Sequence, residues 1–504
     1  MAQMDCIARH GRGQTITKCF EAARAVVVPW YVLTGMILYL IAYVNSPLLP
    51  GAVTPGGWWN WWDQGQYLRS AAALSKLDFT AEAHWYPPGY ALTAAPFYAL
   101  FPRHPFLPAS VISIGVLIWS LHAIFRRYVS PILSLALIGT VLFLHGHVLR
   151  NIVIPWNSMP TNAAICLVAY LLLFRKAGVS DIVLAATASG VAFLCRPASA
   201  VAFAVLFATR IVIVRRRAVA ELVVAIVIAA LFGAALFCWS YAVYGSFDIP
   251  YVKNEAEVGF SPIKVPAKLF FCFIDPSLVY STERSLFNQF PWLLLSLPGI
   301  VYAWKRERLA TMGLLGTVIV SLGFYMAYNN FNPLGMFTYH SVHYILWVFP
   351  ILAMFSVLTI RFAWAAIRMP CYVALLIAPL VVILCLHPRL LLVATAPNTQ
   401  TFHSERPIHI VDIQYAARPE RAPMLEIDGV VTHPPYHFYD HVSSPAFTRC
   451  YLHRPARTLR EPTAAARANV IFMHLDWEIW PRPAALSTFF SKVLWAPWKQ
   501  QVMP

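Results

Sequence analysis

The sequence predicts an all-α protein that crosses a membrane many times and carries a small soluble module near its C-terminal end. Its 504 residues are 59% hydrophobic and only 12% charged, whereas an ordinary soluble domain has roughly 25% charged residues. Eleven largely apolar runs of helical length follow one another along the chain, and about 20 helical residues cross a bilayer core. The composition therefore excludes a soluble globular enzyme.

The first apolar run, residues 25–44, contains no charge and follows a basic N-terminal segment, residues 1–24. It is too long for the apolar part of a cleavable signal peptide, so we expect it to remain as the first membrane span. Ten further spans are predicted at residues 107–125, 131–149, 160–174, 180–195, 198–214, 218–240, 289–304, 309–327, 342–360 and 371–387.

The basic residues give the orientation, because short cytoplasmic loops are enriched in Lys and Arg. Seventeen Lys and Arg residues fall on the side of the N-terminus, and nine lie in the much longer loops of the other side. The N-terminal segment is therefore expected in the cytoplasm, and the outer loop 45–106 and the region 388–504 outside. Most of the net charge of +16 is then an orientation signal, so no nucleic-acid partner is predicted.

The region 388–504 holds 14 of the 38 prolines and no apolar run of membrane-spanning length. Short β-like runs at 408–413 and 470–473 predict a small α/β or loop-rich extracytoplasmic module. The nine cysteines are scattered, with no pair at metal-ligand spacing. Neither a disulfide framework nor a zinc site is predicted. Because no Asn-x-Ser/Thr sequon has a permitted middle residue, we expect a bacterial inner membrane.

The first outer loop contains the most informative segment. Four tryptophans between residues 58 and 62 suit the membrane interface, and Asp63 follows them directly. From Asp63 the sequence predicts a short amphipathic helix along the membrane surface. Asp63 has two interpretations at this point: a helix N-cap, or a functional carboxylate. A Tyr-Pro-Pro-Gly-Tyr turn at 86–90 then leads into the next apolar segment.

With these features the sequence resembles the GT-C glycosyltransferases that use polyprenyl-phosphate sugars, such as protein O-mannosyltransferases and lipid A aminoarabinose transferases. The matching pieces are 63–67 with the Ala-rich helix after it, HWYPPGYALTAAPFYALF (84–101), GVAFLCRPASAVAF (190–203) and YHSVHYILWVFPIL (339–352). The resemblance implies a GT-C-like transmembrane domain over residues 25–387. It implies inversion at the anomeric carbon and does not extend to the region after 387.

The sequence departs from the pattern of this family in two places. Gln64 stands where many members have a second acid, and the second outer loop, RNIVIPWNSMPTN (150–162), has no carboxylate, although many relatives place one there. A carboxylate-built metal site is therefore not supported. No cofactor is predicted, and the residues do not require a divalent metal.

Sugar transfer from a lipid phosphate to a hydroxyl needs a base and a positive charge for the departing phosphate. Asp63 is the candidate base. Arg196, where two apolar spans meet on the outer side, is the candidate phosphate ligand because a retained intramembrane Arg usually faces a cavity or a partner; a snorkelling turn Arg is its alternative. Further substrate-binding candidates, each with an alternative as an interfacial anchor or lipid contact, are Tyr67, Arg69, His84, Tyr86, His340, His343 and Tyr344.

The predicted function is a membrane glycosyltransferase that moves a sugar from a polyprenyl-phosphate donor to an extracytoplasmic glycan, lipid or protein. A lipid-linked sugar flippase or transporter is the alternative, since intramembrane polar residues also mark transport paths. The polar residues concentrate in outer loops and no inverted repeat is visible, which disfavours transport. A non-enzymatic assembly scaffold is the third hypothesis. No nucleotide-binding P-loop or Ser-hydrolase motif is present in the sequence.

Overall fold

The computed structural model describes residues 29–51, 56–175, 178–215, 218–247, 249–273, 285–329, 331, 341–366, 386–396, 401–415, 425–432, 436–440, 446–460 and 467–479. These residues belong to two compact units. The first comprises residues 1–257, 303–321 and 342–354, and the second comprises residues 258–302, 322–341 and 355–504.

The described part of the chain before residue 367 is mainly helical. The longer helices are Trp30–Val44, Trp62–Leu74, Pro88–Tyr98, Leu107–Phe125, Pro131–Gly139, Gly146–Val153, Ser158–Ala169, Val179–Cys195, Ala200–Val214, Ala218–Tyr244, Pro250–Val258, Val265–Phe273, Ser296–Arg306, Arg308–Ala327 and Val348–Ala366. Short turns of 3-10 helix open several of them, including Pro197–Ser199 and Ser341–Ile345.

Ten of the eleven predicted spans overlap described helices in whole or in part. The eleventh, 371–387, lies outside the described residues except for its last two, which begin a strand at Leu386. Among the described residues, four unbroken helices are long enough and apolar enough to cross a membrane. They are Leu107–Phe125, Pro197–Val214, Ala218–Tyr244 and Arg308–Ala327. Only four of the 27 residues of Ala218–Tyr244 are buried within the structure. A long apolar helix with so little protein cover suits a lipid environment.

The predicted span 131–149 is not one straight helix. Pro131–Leu144 and Gly146–Val153 meet at an angle of 77°. His145 between them is extended, with φ −92° and ψ 109°, which interrupts the helical hydrogen bonds at this point. Counted as one broken span, this pair raises the number of membrane-spanning candidates among the described residues from four to five.

The second unit contains a buried cation in its helical part. The ammonium group of Lys268, on the helix Val265–Phe273, donates to the carbonyl oxygens of Tyr328 at 2.6 Å and Phe331 at 2.9 Å. These carbonyls belong to residues that follow the helix Arg308–Ala327. Lys268 therefore holds the segment after this helix in place.

The described residues after 385 form an antiparallel sheet. Its strands are β1 Leu386–Ala396, β2 Phe402–Tyr415, β3 Leu425–Ile427, β4 Val430–Thr432, β5 Tyr436–Asp440, β6 Ala446–Arg460 and β7 Arg467–Ile479. The strand order is β1-β7-β2-β6-β3-β4, and β5 also pairs with β6.

The sequence predicted an α/β or loop-rich module here, and the secondary-structure elements described after residue 385 are all strands. The two β-like runs do lie in strands, β2 and β7. Alternation explains part of this, because Val411 and Ile413 of β2 are two positions apart and both are fully buried in the core of this sheet. Ile408 is also buried, on the other side of an irregularity in the strand register. Between β3 and β4, Asp428 and Gly429 both have positive φ, the geometry of a tight hairpin turn.

Candidate active site

Asp63 lies in the first turn of the helix Trp62–Leu74, and the N-cap position is occupied by Trp61. The Asp63 side chain is therefore not the N-cap that one interpretation of the sequence expected. Its Oδ1 atom accepts a hydrogen bond of 2.5 Å from the hydroxyl group of Tyr86. The carboxylate is held by a side chain 23 residues further along the chain, near the positive end of its own helix.

Opposing influences act on the protonation of Asp63. Burial raises the pKa of its carboxyl group above the ordinary value, while the hydrogen bond from Tyr86 and the positive charge of Arg196 lower the pKa. Burial is the largest of the three, because a carboxylate loses hydration when it leaves water. The carboxylate is thus a stronger base than a solvated aspartate.

A group of three tyrosines lies beside Asp63. The ring of Tyr86 lies 4.7 Å from that of Tyr67 and 4.8 Å from that of Tyr251, centroid to centroid. Burial is the largest influence that raises the pKa of Tyr67 and Tyr86, and the charge of Asp63 raises both further. Both phenols therefore remain protonated at neutral pH, and Tyr86 donates its hydrogen bond to Asp63. We call Asp63, Tyr67, Tyr86 and Tyr251 the carboxylate cluster.

The Tyr-Pro-Pro-Gly-Tyr turn brings this cluster against another part of the chain. Gly89 packs so closely on the end of the helix Val179–Cys195 that an added Cβ would lie 2.4 Å from the carbonyl carbon of Leu194 and 2.5 Å from the nitrogen of Cys195. Only glycine allows two backbones to approach this closely. The contact places the turn beside the residue that follows Cys195, which is Arg196.

Arg196 owes its position to the proline after it. Its backbone is extended, with φ −154° and ψ 96°, as expected for a residue before proline, and the helix ends at Cys195. The side chain is 6% exposed. Its Nη1 atom donates to Oδ1 of Asn157 at 3.0 Å, and its guanidinium carbon lies 4.0 Å from the centroid of the Tyr344 ring. A buried guanidinium stacked on an aromatic ring is a strong form of cation–π contact.

His343 completes a second group of side chains. It lies in the 3-10 turn Ser341–Ile345, and its ring stacks on that of Trp156 at 3.9 Å with an angle of 5°. Its Nδ1 atom is 2.7 Å from the hydroxyl oxygen of Ser158. The adjacent Tyr344 ring lies 4.0 Å from the His343 ring. We call the group the guanidinium cluster; its members are Trp156, Asn157, Ser158, Arg196, His343 and Tyr344.

The two clusters share one electrostatic environment. The charge of Arg196 acts on both Asp63 and Tyr67, and Tyr344 acts on Tyr67. The structure thus brings together five residues singled out in the sequence, Asp63, Tyr67, Tyr86, Arg196 and Tyr344, with His343 beside them.

Three predicted site residues are not part of this arrangement. Arg69 is exposed on the helix Trp62–Leu74. His84 is buried, with Nδ1 2.7 Å from the hydroxyl oxygen of Ser70 and Nε2 3.0 Å from the carbonyl oxygen of Asp78; it closes the loop after that helix. His340 lies outside the described residues.

Sequence reasoning missed Tyr251, Trp156, Asn157 and Ser158. Tyr251 stands on the short helix Pro250–Val258, and its backbone nitrogen donates to the carbonyl oxygen of Trp85 at 3.3 Å. Asn157 and Trp156 lie in the loop whose lack of a carboxylate was the only feature noted there. A neutral amide and an interfacial tryptophan are common in such loops, so no local signal marked them.

Within the described residues, no group of three or more His, Cys, Asp and Glu side chains could hold a metal ion. The chemistry open to the two clusters is therefore that of one carboxylate, several neutral hydroxyl groups and one guanidinium group. This combination suits proton abstraction beside a group that carries negative charge.

No known protein family matches the sequence, and no curated protein matches it. Two solved structures are similar to the chain at 17% sequence identity: ArnT from Cupriavidus metallidurans bound to undecaprenyl phosphate, with a TM-score of 0.47 over 70% of this chain, and the same protein in the apo state, with a TM-score of 0.46 over 71%. The chain covers 65% of the length of ArnT.

Proposed function

We propose that the chain is a membrane glycosyltransferase that moves a sugar from a polyprenyl-phosphate donor to a hydroxyl group of an extracytoplasmic glycan, lipid or protein. The observation that carries the proposal is the pairing of a partly buried carboxylate, Asp63, with a buried guanidinium group, Arg196, in one electrostatic environment. The sequence had assigned these residues, 133 positions apart, to the two roles that this reaction requires.

In the proposed reaction Asp63 acts as the general base. Its carboxylate removes the proton of the acceptor hydroxyl as the acceptor oxygen forms a bond to the anomeric carbon. The bond between this carbon and the phosphate oxygen breaks on the opposite face, so the configuration inverts, and the phosphate leaves with the electron pair. A base in this role typically contributes about 10²- to 10⁴-fold to the rate.

Arg196 is proposed to bind the phosphate and to stabilise the charge that develops on it. A guanidinium group presents several N–H donors in a plane that matches phosphate oxygens. Tyr344 beneath the guanidinium restricts its movement, since the ring centroid lies 4.0 Å from the guanidinium carbon. A preorganised charge needs little rearrangement as the reaction proceeds, which is why such groups make large contributions to catalysis.

The tyrosines support both charged groups. Tyr86 fixes one carboxylate oxygen of Asp63 through its hydrogen bond, and the other oxygen is proposed to face the acceptor. Tyr67 is 3% exposed and Tyr86 is 8% exposed, so these rings limit the access of water. Exclusion of water strengthens the electrostatic interactions inside a site and suppresses hydrolysis of an activated donor.

The location of the site agrees with a donor that resides in the membrane. Trp59, Trp61 and Trp62 precede Asp63, and Trp62 is 64% exposed, as suits a side chain at the level of the lipid headgroups. We propose that this face is extracytoplasmic and that the membrane is a bacterial inner membrane, with the N-terminus in the cytoplasm and the C-terminal sheet outside. Nucleotide sugars are absent from such a compartment, and the bond to the lipid phosphate supplies the free energy of transfer.

The test is transfer by the full-length protein, reconstituted in lipid nanodiscs, from a panel of polyprenyl-phosphate sugars to lipid and glycan acceptors. Asp63→Asn keeps the size of the side chain and removes the base. We expect at least about a 100-fold loss of transfer with an unchanged melting temperature. Asp78→Asn is the matched control, because Asp78 is an exposed carboxylate of the same loop, and it should transfer at the wild-type rate.

Full activity of Asp63→Asn would overturn the assignment of the base. Movement of the intact lipid-linked sugar across a proteoliposome membrane, with no transfer to any acceptor, would replace the transferase by a flippase or transporter.

A further inference from the structure

The segment Pro155–Ser158 links the two clusters through four consecutive residues. The carbonyl oxygen of Pro155 accepts from the amide of Gln64 at 3.4 Å, Trp156 stacks on His343, and Ser158 bonds to His343. Asn157 contacts the chain at Arg196. All four residues are buried. A segment of this kind determines where the surrounding side chains lie, although it carries no charge itself.

Asn157 holds Arg196 from two directions. Its Oδ1 atom accepts from Nη1 of Arg196 at 3.0 Å, and its Nδ2 atom donates to the carbonyl oxygen of Cys195 at 3.2 Å. One amide thus fixes both the guanidinium group and the peptide unit that precedes it. Asn157 is only 2% exposed, so water does not compete effectively for these hydrogen bonds.

The chemical type of this side chain matters as much as its position. An amide oxygen accepts a hydrogen bond from a guanidinium group without adding a negative charge. A carboxylate at the same place would accept the same hydrogen bond more strongly, and its charge would oppose the approach of an anion. The site therefore presents a guanidinium group that is held in place by a neutral partner.

We propose that Asn157 is a positioning residue for Arg196 and that its neutrality determines how tightly the site binds the phosphate of a lipid-linked donor. This inference rests on the proposed function for the identity of the donor. It assigns to Asn157 an effect on donor binding, exerted through Arg196, and no direct part in proton transfer.

The experiment measures binding and transfer separately, in full-length protein in nanodiscs. Binding is measured by titration with a polyprenyl monophosphate, which lacks a sugar and cannot react. Transfer is measured as KM for the donor and kcat. Asn157→Asp should weaken phosphate binding and raise KM on the order of 10-fold, because it places a carboxylate beside the guanidinium, while kcat should change less than threefold.

Asn157→Ala removes the amide without adding a charge and should weaken binding less than Asn157→Asp does. Asn151→Asp is the matched control: Asn151 is a buried asparagine on the neighbouring helix whose amide donates to the carbonyl oxygen of His147. It should not weaken phosphate binding. In an Arg196→Gln background, Asn157→Asp should have no further effect on binding, since its action passes through the guanidinium group.

Wild-type phosphate affinity in both Asn157 variants would overturn the inference, as would an equal effect of Asn157→Asp with and without Arg196. The proposed function fails differently. If no acceptor is glycosylated but the polyprenyl monophosphate binds in an Asn157-dependent manner, the transferase assignment is lost and the positioning role stands. If transfer depends on Asp63 but Asn157→Asp leaves KM unchanged, the transferase assignment stands and the positioning role of Asn157 is lost.

Discussion

The carboxylate cluster and the guanidinium cluster are built in different ways. Asp63, Tyr67 and Tyr86 come from one stretch of fewer than 30 residues, a helix and the turn after it. The guanidinium cluster joins segments near residues 157, 196 and 343, and the hydrogen bond between Ser158 and His343 spans 185 positions. Apart from Tyr251, the carboxylate cluster is local in sequence, whereas the guanidinium cluster is assembled by the packing of helix ends.

The clusters also differ in how they hold their charge. Neutral phenols surround Asp63, and one donates a hydrogen bond to it. The contacts of Arg196 include an amide oxygen on one side and an aromatic ring on its face. Both arrangements orient a charged group through neutral neighbours. Substitutions can separate the two clusters from each other, or remove one of the side chains that orient Asp63 or Arg196.

The largest effect is expected from Gly89→Ala, which disrupts the close contact between the turn 86–90 and the end of the helix Val179–Cys195. A methyl group at this position would collide with the backbone of Leu194 and Cys195, and backbone atoms cannot move aside as a flexible side chain can. We expect loss of detectable transfer, because a displacement of about 1 Å at a reacting centre can cost about 100-fold in rate, and a lower melting temperature. Both are measured on purified protein.

Gly233→Ala is the control for this substitution. Gly233 lies within the helix Ala218–Tyr244, and an added Cβ would meet nothing within 4 Å. Alanine favours a helix over glycine, so activity and melting temperature should be maintained. Normal transfer by Gly89→Ala would show that the clusters do not depend on this close approach.

Arg196→Gln tests the guanidinium cluster alone. Loss of the positive charge should reduce kcat/KM for the donor on the order of 100-fold, as is typical when one group that stabilises transition-state charge is removed. Lys76→Gln removes an exposed cation of the first outer loop and should have little effect. Equal losses in the two variants would mean that the site responds to overall charge and that Arg196 has no specific role.

Tyr86→Phe tests the carboxylate cluster alone. It removes the hydroxyl group that donates to Asp63, and we expect kcat to fall on the order of 10-fold, in line with the strength of a hydrogen bond to a charged group. Tyr98→Phe, at the end of the following helix Pro88–Tyr98, should remain near the wild-type rate. A Tyr86→Phe enzyme with unchanged kcat would assign the orientation of Asp63 to other groups.

Tyr86→Phe should also change the dependence of activity on pH. A base must be deprotonated, so kcat/KM should fall as the pH decreases through the pKa of Asp63, which burial raises above the ordinary value of 3.8. The hydrogen bond from Tyr86 lowers this pKa. Its removal should therefore shift the acid limb of the profile to higher pH. A shift to lower pH, or none, would contradict the assigned role of this hydrogen bond.

The smallest effect is expected from Ser158→Ala. The His343 ring loses the hydrogen bond to its Nδ1 atom but retains its stacking on Trp156. A single neutral hydrogen bond contributes about 0.5–1.5 kcal/mol, so KM should rise roughly two- to tenfold. Ser75→Ala, at an exposed serine after the helix Trp62–Leu74, is the control. An effect as large as that of Arg196→Gln would contradict this small contribution and would mean that the orientation of His343 matters as much as the charge of Arg196.

Most of the helical fold could be predicted from the sequence, because apolar runs of helical length are a local and strong signal. The break at His145 could not, since nothing in the run 131–149 distinguishes a bent pair from one span. The C-terminal sheet was visible only as two short runs. Of its other strands, β3 and β4 have three residues each, and β1 and β6 each contain a proline, so alternation along any one of them is a weak signal.

The sequence by itself determined the chemical groups available: a carboxylate behind a tryptophan cluster, a proline that ends a helix at Arg196, and a glycine in an aromatic turn. These are local properties, fixed by dihedral preferences and by the interface preference of tryptophan. The tertiary structure decided which groups meet. It placed Asn157 against Arg196 and Tyr251 against Tyr86, and it left Arg69 exposed. Such contacts depend on how separate helix ends pack, which no single stretch of sequence encodes.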